Sequence, residues 1–393
     1  MAPIRELTTL VDLDRAVSGG TGSMRGWRVA DLDLSARGAQ LTDLDARGSI
    51  FFGCDFDPAT ELALRADGAL IFPELPDLPF AAYRGSLYEP AELYDTVLTG
   101  GHYQDSMDAR CYRWFLEHRP ADGDLDVADT LAIALHDHAI SDSFTDRVGS
   151  ARQAVPGRSV VAVMGGHAVD RGTAGYADAA RLGRRIARGG DIVATGGGPG
   201  AMEATNLGAW LAGAPDDALA AALDELATVP AFAPNVHRWV LAALAIRAKY
   251  PQTGVASLSV PTWYFGDEPP NVFSSGIAKF FSNAIREDVL LRGATRGVIV
   301  LPGAAGTVQE IFQLVTDSYY ADAPGQAVPL VLVGRDYWTG RLPVWPLLRS
   351  LAEGRAMEAR IALVDSPGEA ADALASLTGT PGTVDAPIGT DGR

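Results

Sequence analysis

Three glycine-rich stretches fall where apolar runs give way to helical patterns: Gly165-Gly166-His167, Gly196-Gly197-Gly198-Pro199-Gly200 and Pro302-Gly303-Ala304-Ala305-Gly306-Thr307. Glycines let the backbone approach a phosphate closely, and a helix N-terminus presents free N–H groups at the positive end of its dipole. The Thr307 hydroxyl, at a helix start, can both cap the helix and bind an oxyanion. Strand-to-helix packing explains a single loop of this kind as readily as a ligand does. Three in one sheet point to a nucleotide or a sugar phosphate, with Gly165, Gly166, Gly197, Gly198, Pro199, Gly200, Met202, Glu203, Gly303, Ala304, Ala305, Gly306 and Thr307 as candidate contacts. Glu310 lies one turn beyond Thr307, so its carboxylate faces back toward the same loop; an exposed helix face is the competing explanation. No G-x-G-x-x-G follows the first strand and no G-x-x-x-x-G-K-[ST] follows any strand, which puts hydride and phosphoryl transfer behind.

These loops need elements to position them. Residues 159–166 (SVVAVMGG), 255–261 (VASLSVP), 328–334 (VPLVLVG) and 361–366 (IALVDS) read as strands, and 191–213 and 297–320 each read as strand, glycine loop and helix. Residues 176–188, 218–227, 236–248 and 277–291 read as helices. The alternation predicts an α/β fold, a Rossmann-like doubly wound parallel sheet with helices on both faces. That domain covers 158–377, between a linker at 151–157 (ARQAVPG) and a Pro/Gly-rich tail, 378–393, expected to be disordered.

Residues 1–150 read as an acidic N-terminal α+β domain of unknown role, with helices over 90–98 and 130–144 and an apolar strand broken by prolines in 68–80. A five-residue rhythm runs from Val29 to Phe56, with Leu41, Ala46, Phe51 and Phe56 at period five and Ala39, Leu44, Ser49 and Cys54 two residues before each. It suits a stacked solenoid coil, with short strands of an irregular region as the alternative. His136-Asp137-His138 invites a metal reading, but residues i and i+2 of a helix point about 200° apart, so packing explains it better.

The pair GGGPGAME (196–203) and PGAAGTVQE (302–310), with Arg286 on the helix between them, resembles the Lonely Guy (LOG) family of phosphoribohydrolases. That family includes nucleotide 5′-monophosphate nucleosidases, and many of its members were once labelled lysine decarboxylases. Its signature, P-G-G-x-G-T-x-x-E with an upstream Arg, is matched by Pro302, Gly303, Gly306, Thr307, Glu310 and Arg286; Ala304 replaces the second glycine. The resemblance spans roughly 159–365. It implies hydrolysis of the N-glycosidic bond of a nucleoside 5′-monophosphate to free base and ribose 5-phosphate, through an oxocarbenium-like cation. It also implies Glu310 and Arg286 as catalytic residues, loop amides on the phosphate, no metal or cofactor, and a homodimer or larger assembly.

Pyridoxal chemistry, which the decarboxylase label demands, needs a Schiff-base lysine. The two lysines, Lys249 and Lys279, follow no strand in a cofactor-loop setting. Ala304 is tolerable where the family glycine supplies close approach rather than a positive φ. A non-catalytic nucleotide sensor is the rival reading. An N6-modified adenine nucleotide is a third, for which Trp263, Tyr264 and Phe265 offer stacking surfaces. Segments 240–246 and 277–285 are apolar enough for a subunit interface.

Composition bounds these readings. The net charge is −17, and residues 1–150 hold most of it, with 12 Arg and no Lys against 26 acidic residues, or −14, leaving −3 for the rest. Such a balance disfavours polymeric nucleic acid but leaves room for a mononucleotide in the nearly neutral part. No apolar run approaches the ~18 residues of a membrane span, and the first residues lack a signal peptide's apolar core, so a soluble cytoplasmic protein is expected. Cys54 and Cys111 are too few and too far apart for a disulfide framework or zinc knuckle and read as reduced thiols.

Overall fold

A computed structural model describes residues 5–20, 22–75, 77–118, 126–252, 254, 256–266 and 268–379. The chain divides into two compact units, Met1–Ser86 with Leu116–Ile140, and Leu87–Phe115 with Ser141–Arg393.

In the first unit, β1 (Arg5–Leu7), β2 (Trp27–Ala30), β3 (Ile50–Phe52) and β4 (Leu70–Phe72) pair in chain order, all parallel, with α1 (Leu10–Ser18), α2 (Gly38–Thr42) and α3 (Pro58–Ala66) in the connections. The register sets Leu7, Val29, Phe51 and Ile71 side by side. All four are buried. Each coil therefore supplies one strand and one inward rung, which is solenoid construction. The coil length is 22 residues from Leu7 to Val29 and from Val29 to Phe51, and 20 from Phe51 to Ile71, not five. Leu41, Ala46 and Phe51 do point into the core, but as successive inward points of one coil whose sides include helices. Burial pushes the Cys54 thiol up to about 11, and neither Cys54 nor Cys111 is in a disulfide.

After β4 the chain forms α4 (Pro90–Leu93), α5 (Asp95–Leu98), α6 (Met107–His118) and α7 (Val127–Ala154). The single helix expected over 90–98 is broken at Tyr94, whose φ and ψ of −112° and 32° are not helical. The expected linker at 151–157 is a correction: α7 runs on to Ala154 and stops only ahead of Pro156, whose ring disfavours helix in the preceding residue. The compact units likewise do not divide at residue 150. Within α7, His136 and Asp137 are buried while His138 is exposed, as a 200° separation requires. His136 Nδ1 lies 3.0 Å from Asp137 Oδ1, and burial holds this imidazole below its usual range.

The second unit continues with β5 (Val160–Met164), α8 (Ala174–Arg188), β6 (Ile192–Thr195), α9 (Ala201–Trp210), α10 (Asp216–Leu226), α11 (Val236–Lys249) and β7 (Ser257–Ser259). Then follow α12 (Asn283–Gly293), β8 (Gly297–Val300), α13 (Ala305–Tyr319), β9 (Leu330–Val333), α14 (Val344–Ala352), β10 (Ile361–Val364) and α15 (Pro367–Thr378). The six strands are parallel in the order β10-β9-β8-β5-β6-β7. Counted within this sheet from the β7 edge, that is 3-2-1-4-5-6, the order of the doubly wound nucleotide-binding fold. The chain winds outward from β5 in one direction and from β8 in the other, so right-handed crossovers place the two sets of helices on opposite faces. Accordingly α8 packs with α9 and α15, and α13 with α12 and α14.

The helix expected over 277–291 begins only at Asn283. Residues 277–280 are drawn into extended pairing instead, with Ile277 N–H donating to Tyr88 O at 2.9 Å, Ala278 N–H to Ser259 O at 2.8 Å and Phe280 N–H to Pro261 O at 3.0 Å. Ser282 then caps the helix. Residues 277–281 are buried within the single chain, so this part of the expected interface segment is already covered. The expected tail starts inside α15, and 380–393 lie outside the described residues. Among the described residues no helix is long and apolar enough to cross a membrane.

Candidate active site

An open parallel sheet binds ligands beyond its strand carboxyl ends, in the crevice where the winding reverses. Here that point lies between β5 and β8. Hydrogen bonds stitch the surrounding loops together: Gly166 N–H donates to Pro302 O at 3.0 Å, Leu301 N–H to Met164 O at 2.8 Å, and Ala201 N–H to Gly166 O at 3.1 Å. Above them opens a cleft of ≈ 560 Å³, within the usual range for small-ligand sites.

Four groups of residues line it. The loops after β5 and β8 give Gly165, Gly166, His167, Gly303 and Ala304; α12 gives Arg286 and Glu287; α13 gives Gly306, Thr307 and Glu310; and Met202, Phe265, Glu268, Tyr337 and Arg341 complete the lining. The N-cap of α13, Ala304, makes no side-chain cap, so the first-turn amides are not satisfied by a cap. Those amides and the Thr307 hydroxyl are donors of the kind that can hold an anion. Ala304 has φ −103°, a value open to any residue, so replacing the family glycine costs no backbone strain.

Gly303 is different. A Cβ there would lie 2.1 Å from Thr307 Oγ1, whereas one on Gly306 meets nothing within 4 Å. Gly303→Ala is expected to cost about 1–3 kcal/mol by overpacking the loop. Gly306→Ala should gain about 0.5 kcal/mol by limiting the unfolded chain. Urea unfolding of the two variants checks both signs.

Arg286 and Glu310 meet in this cleft. Arg286 Nη1 donates to Glu310 Oε1 at 2.8 Å and lies 3.9 Å from Glu287 Oε1. Among the described residues, Arg286 Nε is buried without an acceptor. Burial pushes the Glu310 carboxyl above its ordinary value, the Arg286 charge opposes this, and the Glu287 charge adds to it. Glu287 is held in turn by Asn283 Nδ2 at 2.7 Å and Gln309 Nε2 at 2.8 Å.

No protein-family model matches the chain, and no curated protein does. Among solved structures, similar ones are the molybdenum cofactor binding protein of the phototrophic bacterium Rippkaea orientalis and the Moco carrier protein of Chlamydomonas reinhardtii. Each is 16% identical to this chain and covers 56% of it and 97% of its own length, with TM-scores of 0.35 and 0.34. Similarity of that degree carries neither ligand nor activity across to this chain.

The second glycine loop serves the scaffold more than the cleft. Gly197, Gly198, Pro199, Gly200, Glu203 and also Ala305 fall outside the cleft lining, while Met202 remains in it. Gly200, at φ +73°, lets the loop touch the first one, since a Cβ there would come within 2.6 Å of His167 O. Gly197 N–H donates to Thr195 Oγ1 at 3.0 Å, and Gly197 O accepts from Asn271 N–H at 2.8 Å. The expected ligand contact Glu203 is fully buried. Its carboxylate accepts both ends of the Arg171 guanidinium, with Nε to Oε2 at 3.0 Å, and the Tyr176 hydroxyl at 2.9 Å. It is a structural anchor.

Of the aromatic trio, only Phe265 lines the cleft. Trp263 is buried and donates from Nε1 to Asp108 Oδ1 at 2.9 Å. Neither lysine lines the cleft: Lys279 is buried against Asp108, and Lys249 lies 3.5 Å from Glu225. Sequence reasoning missed Glu287, Glu268, Tyr337 and Arg341. The last two follow β9, and the rule that ligands bind beyond strand carboxyl ends points to that loop as well. Nothing local marks Glu268.

Proposed function

We propose that this chain hydrolyses the N-glycosidic bond of a nucleoside 5′-monophosphate, releasing the free base and ribose 5-phosphate. The observation that carries the reading is the convergence of Arg286 and Glu310, hydrogen-bonded at 2.8 Å, with the Gly303–Thr307 amide cradle in one cleft. The cradle takes the 5′-phosphate. As the glycosidic bond breaks, positive charge grows on the anomeric carbon and ring oxygen. The Glu310 carboxylate stabilises that charge and orients the attacking water, accepting its proton as the new C–O bond forms. Arg286 fixes Glu310 for this task, and preorganised charge of this kind supplies a large share of enzymatic rate. At the phosphate and the anomeric carbon the cleft's own residues act through positioning and charge.

Incubation of the pure protein with AMP, GMP, IMP, CMP and UMP should release ribose 5-phosphate from at least one of them. Tight binding of a monophosphate with no turnover of any would replace this reading with a nucleotide sensor.

A further inference from the structure

The proposed mechanism leaves one reacting group unserved. A departing nucleobase takes the glycosidic electron pair onto its ring nitrogen, and a purine leaves far more readily when a proton arrives to neutralise it. Besides the Arg286–Glu310 pair, the cleft holds a second acid–base pair. His167 Nδ1 lies 2.9 Å from Glu268 Oε1, with the two side chains 53% and 29% exposed. Both line the cleft. A histidine oriented by a carboxylate through one ring nitrogen presents the other for proton transfer.

The second glycine loop runs past both pairs. Gly196 has its Cβ direction 3.1 Å from Arg286 Nη2 and 2.8 Å from Met202 Sδ, while Gly198 has its own 2.9 Å from Met202 Cε and 3.3 Å from Glu268 Oε2. Met202 therefore borders the glycine loop where that loop approaches Arg286 and where it approaches Glu268. Phe265, about half exposed, lines the same cleft. An apolar thioether and an aromatic ring beside an imidazole–carboxylate pair make a surface suited to a flat heteroaromatic base and not to a phosphate.

We infer that His167, oriented by Glu268, is the general acid that protonates the departing base, and that the preferred substrates are those whose base leaves only with a proton, purine nucleotides above all. This rests on the hydrolase reading. In the step, the C1′–N bond breaks with its electron pair passing to the base. The His167 proton moves onto a base nitrogen, water adds to C1′, and the water's proton passes to Glu310. Solvent then reprotonates His167 and takes the proton from Glu310.

The test is His167→Ala, at an exposed position where folding is not in question, assayed on the purine monophosphate that the wild type cleaves best. A general acid contributes about 10²–10⁴-fold, so kcat should fall by at least about 100-fold. Affinity for ribose 5-phosphate, measured by calorimetry, should stay within about threefold, because the lost group faces the base. On nicotinamide mononucleotide and N7-methylguanosine 5′-monophosphate, whose bases already carry the positive charge a proton would bring, the variant's loss should be at least tenfold smaller. Glu268→Gln should show the same selectivity at smaller amplitude. Undiminished purine turnover, a parallel loss of ribose 5-phosphate affinity, or equal losses on neutral and pre-charged bases would each overturn the inference. Absence of any turnover by the wild type would instead overturn the hydrolase reading beneath it.

Discussion

Glu310→Gln is expected to lower kcat for nucleoside 5′-monophosphate hydrolysis on the order of 10³-fold while leaving affinity for ribose 5-phosphate intact. Glutamine keeps the side chain's size and can still accept from Arg286, so the substitution removes charge and basicity alone. Retention of more than a tenth of the wild-type rate would sink the assignment. The same carboxylate sets an acid limit. Burial raises its pKa, the neighbouring Arg286 lowers it, and Glu287 raises it. The working form is ionised, so the rate rises with pH as Glu310 loses its proton, and the acid limb of kcat lies above the range of an exposed glutamate. Glu287→Gln removes a like charge and should move that limb to lower pH, which a kcat profile on the wild type and this variant reads directly.

Glu203→Ala is expected to act on stability, not on the ligand. It strands Arg171, whose side chain is 1% exposed, without its carboxylate. Breaking a buried pair from one side costs about 3–5 kcal/mol. For a domain of this size that lowers Tm by about 10 °C. Arg171 also donates to Trp239 O at 3.2 Å and stacks 4.4 Å from the Trp239 ring centroid, so the disturbance reaches α11. Removing both charges, Glu203→Ala with Arg171→Met, should recover part of the loss because no charge is left stranded. Were Glu203 a ligand contact, the single variant would instead keep its Tm and lose affinity for nucleotide. Thermal unfolding and calorimetry on the same samples separate the two.

The strand–loop–helix units of 159–213 and 297–320 could be read from sequence because their signals are short-range. Apolar runs ending in glycine, followed by helical periodicity, specify a unit without reference to the rest of the chain. Arg286, Thr307 and Glu310 were reachable for the same reason, through motif spacing. Two local readings failed where long-range pairing won. Residues 277–281 have a helix-compatible pattern, but Tyr88 and Ser259 compete for their backbone groups and draw them into extended structure. The five-residue rhythm of 29–56 reflects inward points of a single coil, while the repeat itself is the 20–22-residue return from one strand to the next, in a sequence whose coils share little beyond their buried rungs.

Glu203 and Glu310 show where sequence stops and tertiary structure begins. Each follows a glycine loop early in a helix behind a buried strand, and the local pattern offers both as groups facing a ligand. The motif alone determined that two carboxylates would stand near the carboxyl edge of the sheet. Strand order decided the rest. Because β5 lies between β6 and β8, the loops after β5 and β8 face each other across the crevice where the winding reverses, and Glu310 opens onto it beside Arg286. Glu203 turns under α8, where Tyr176 and Arg171 take up its lone pairs. A buried charge is determined by the partners that desolvate it, and those come from elements far away in the chain.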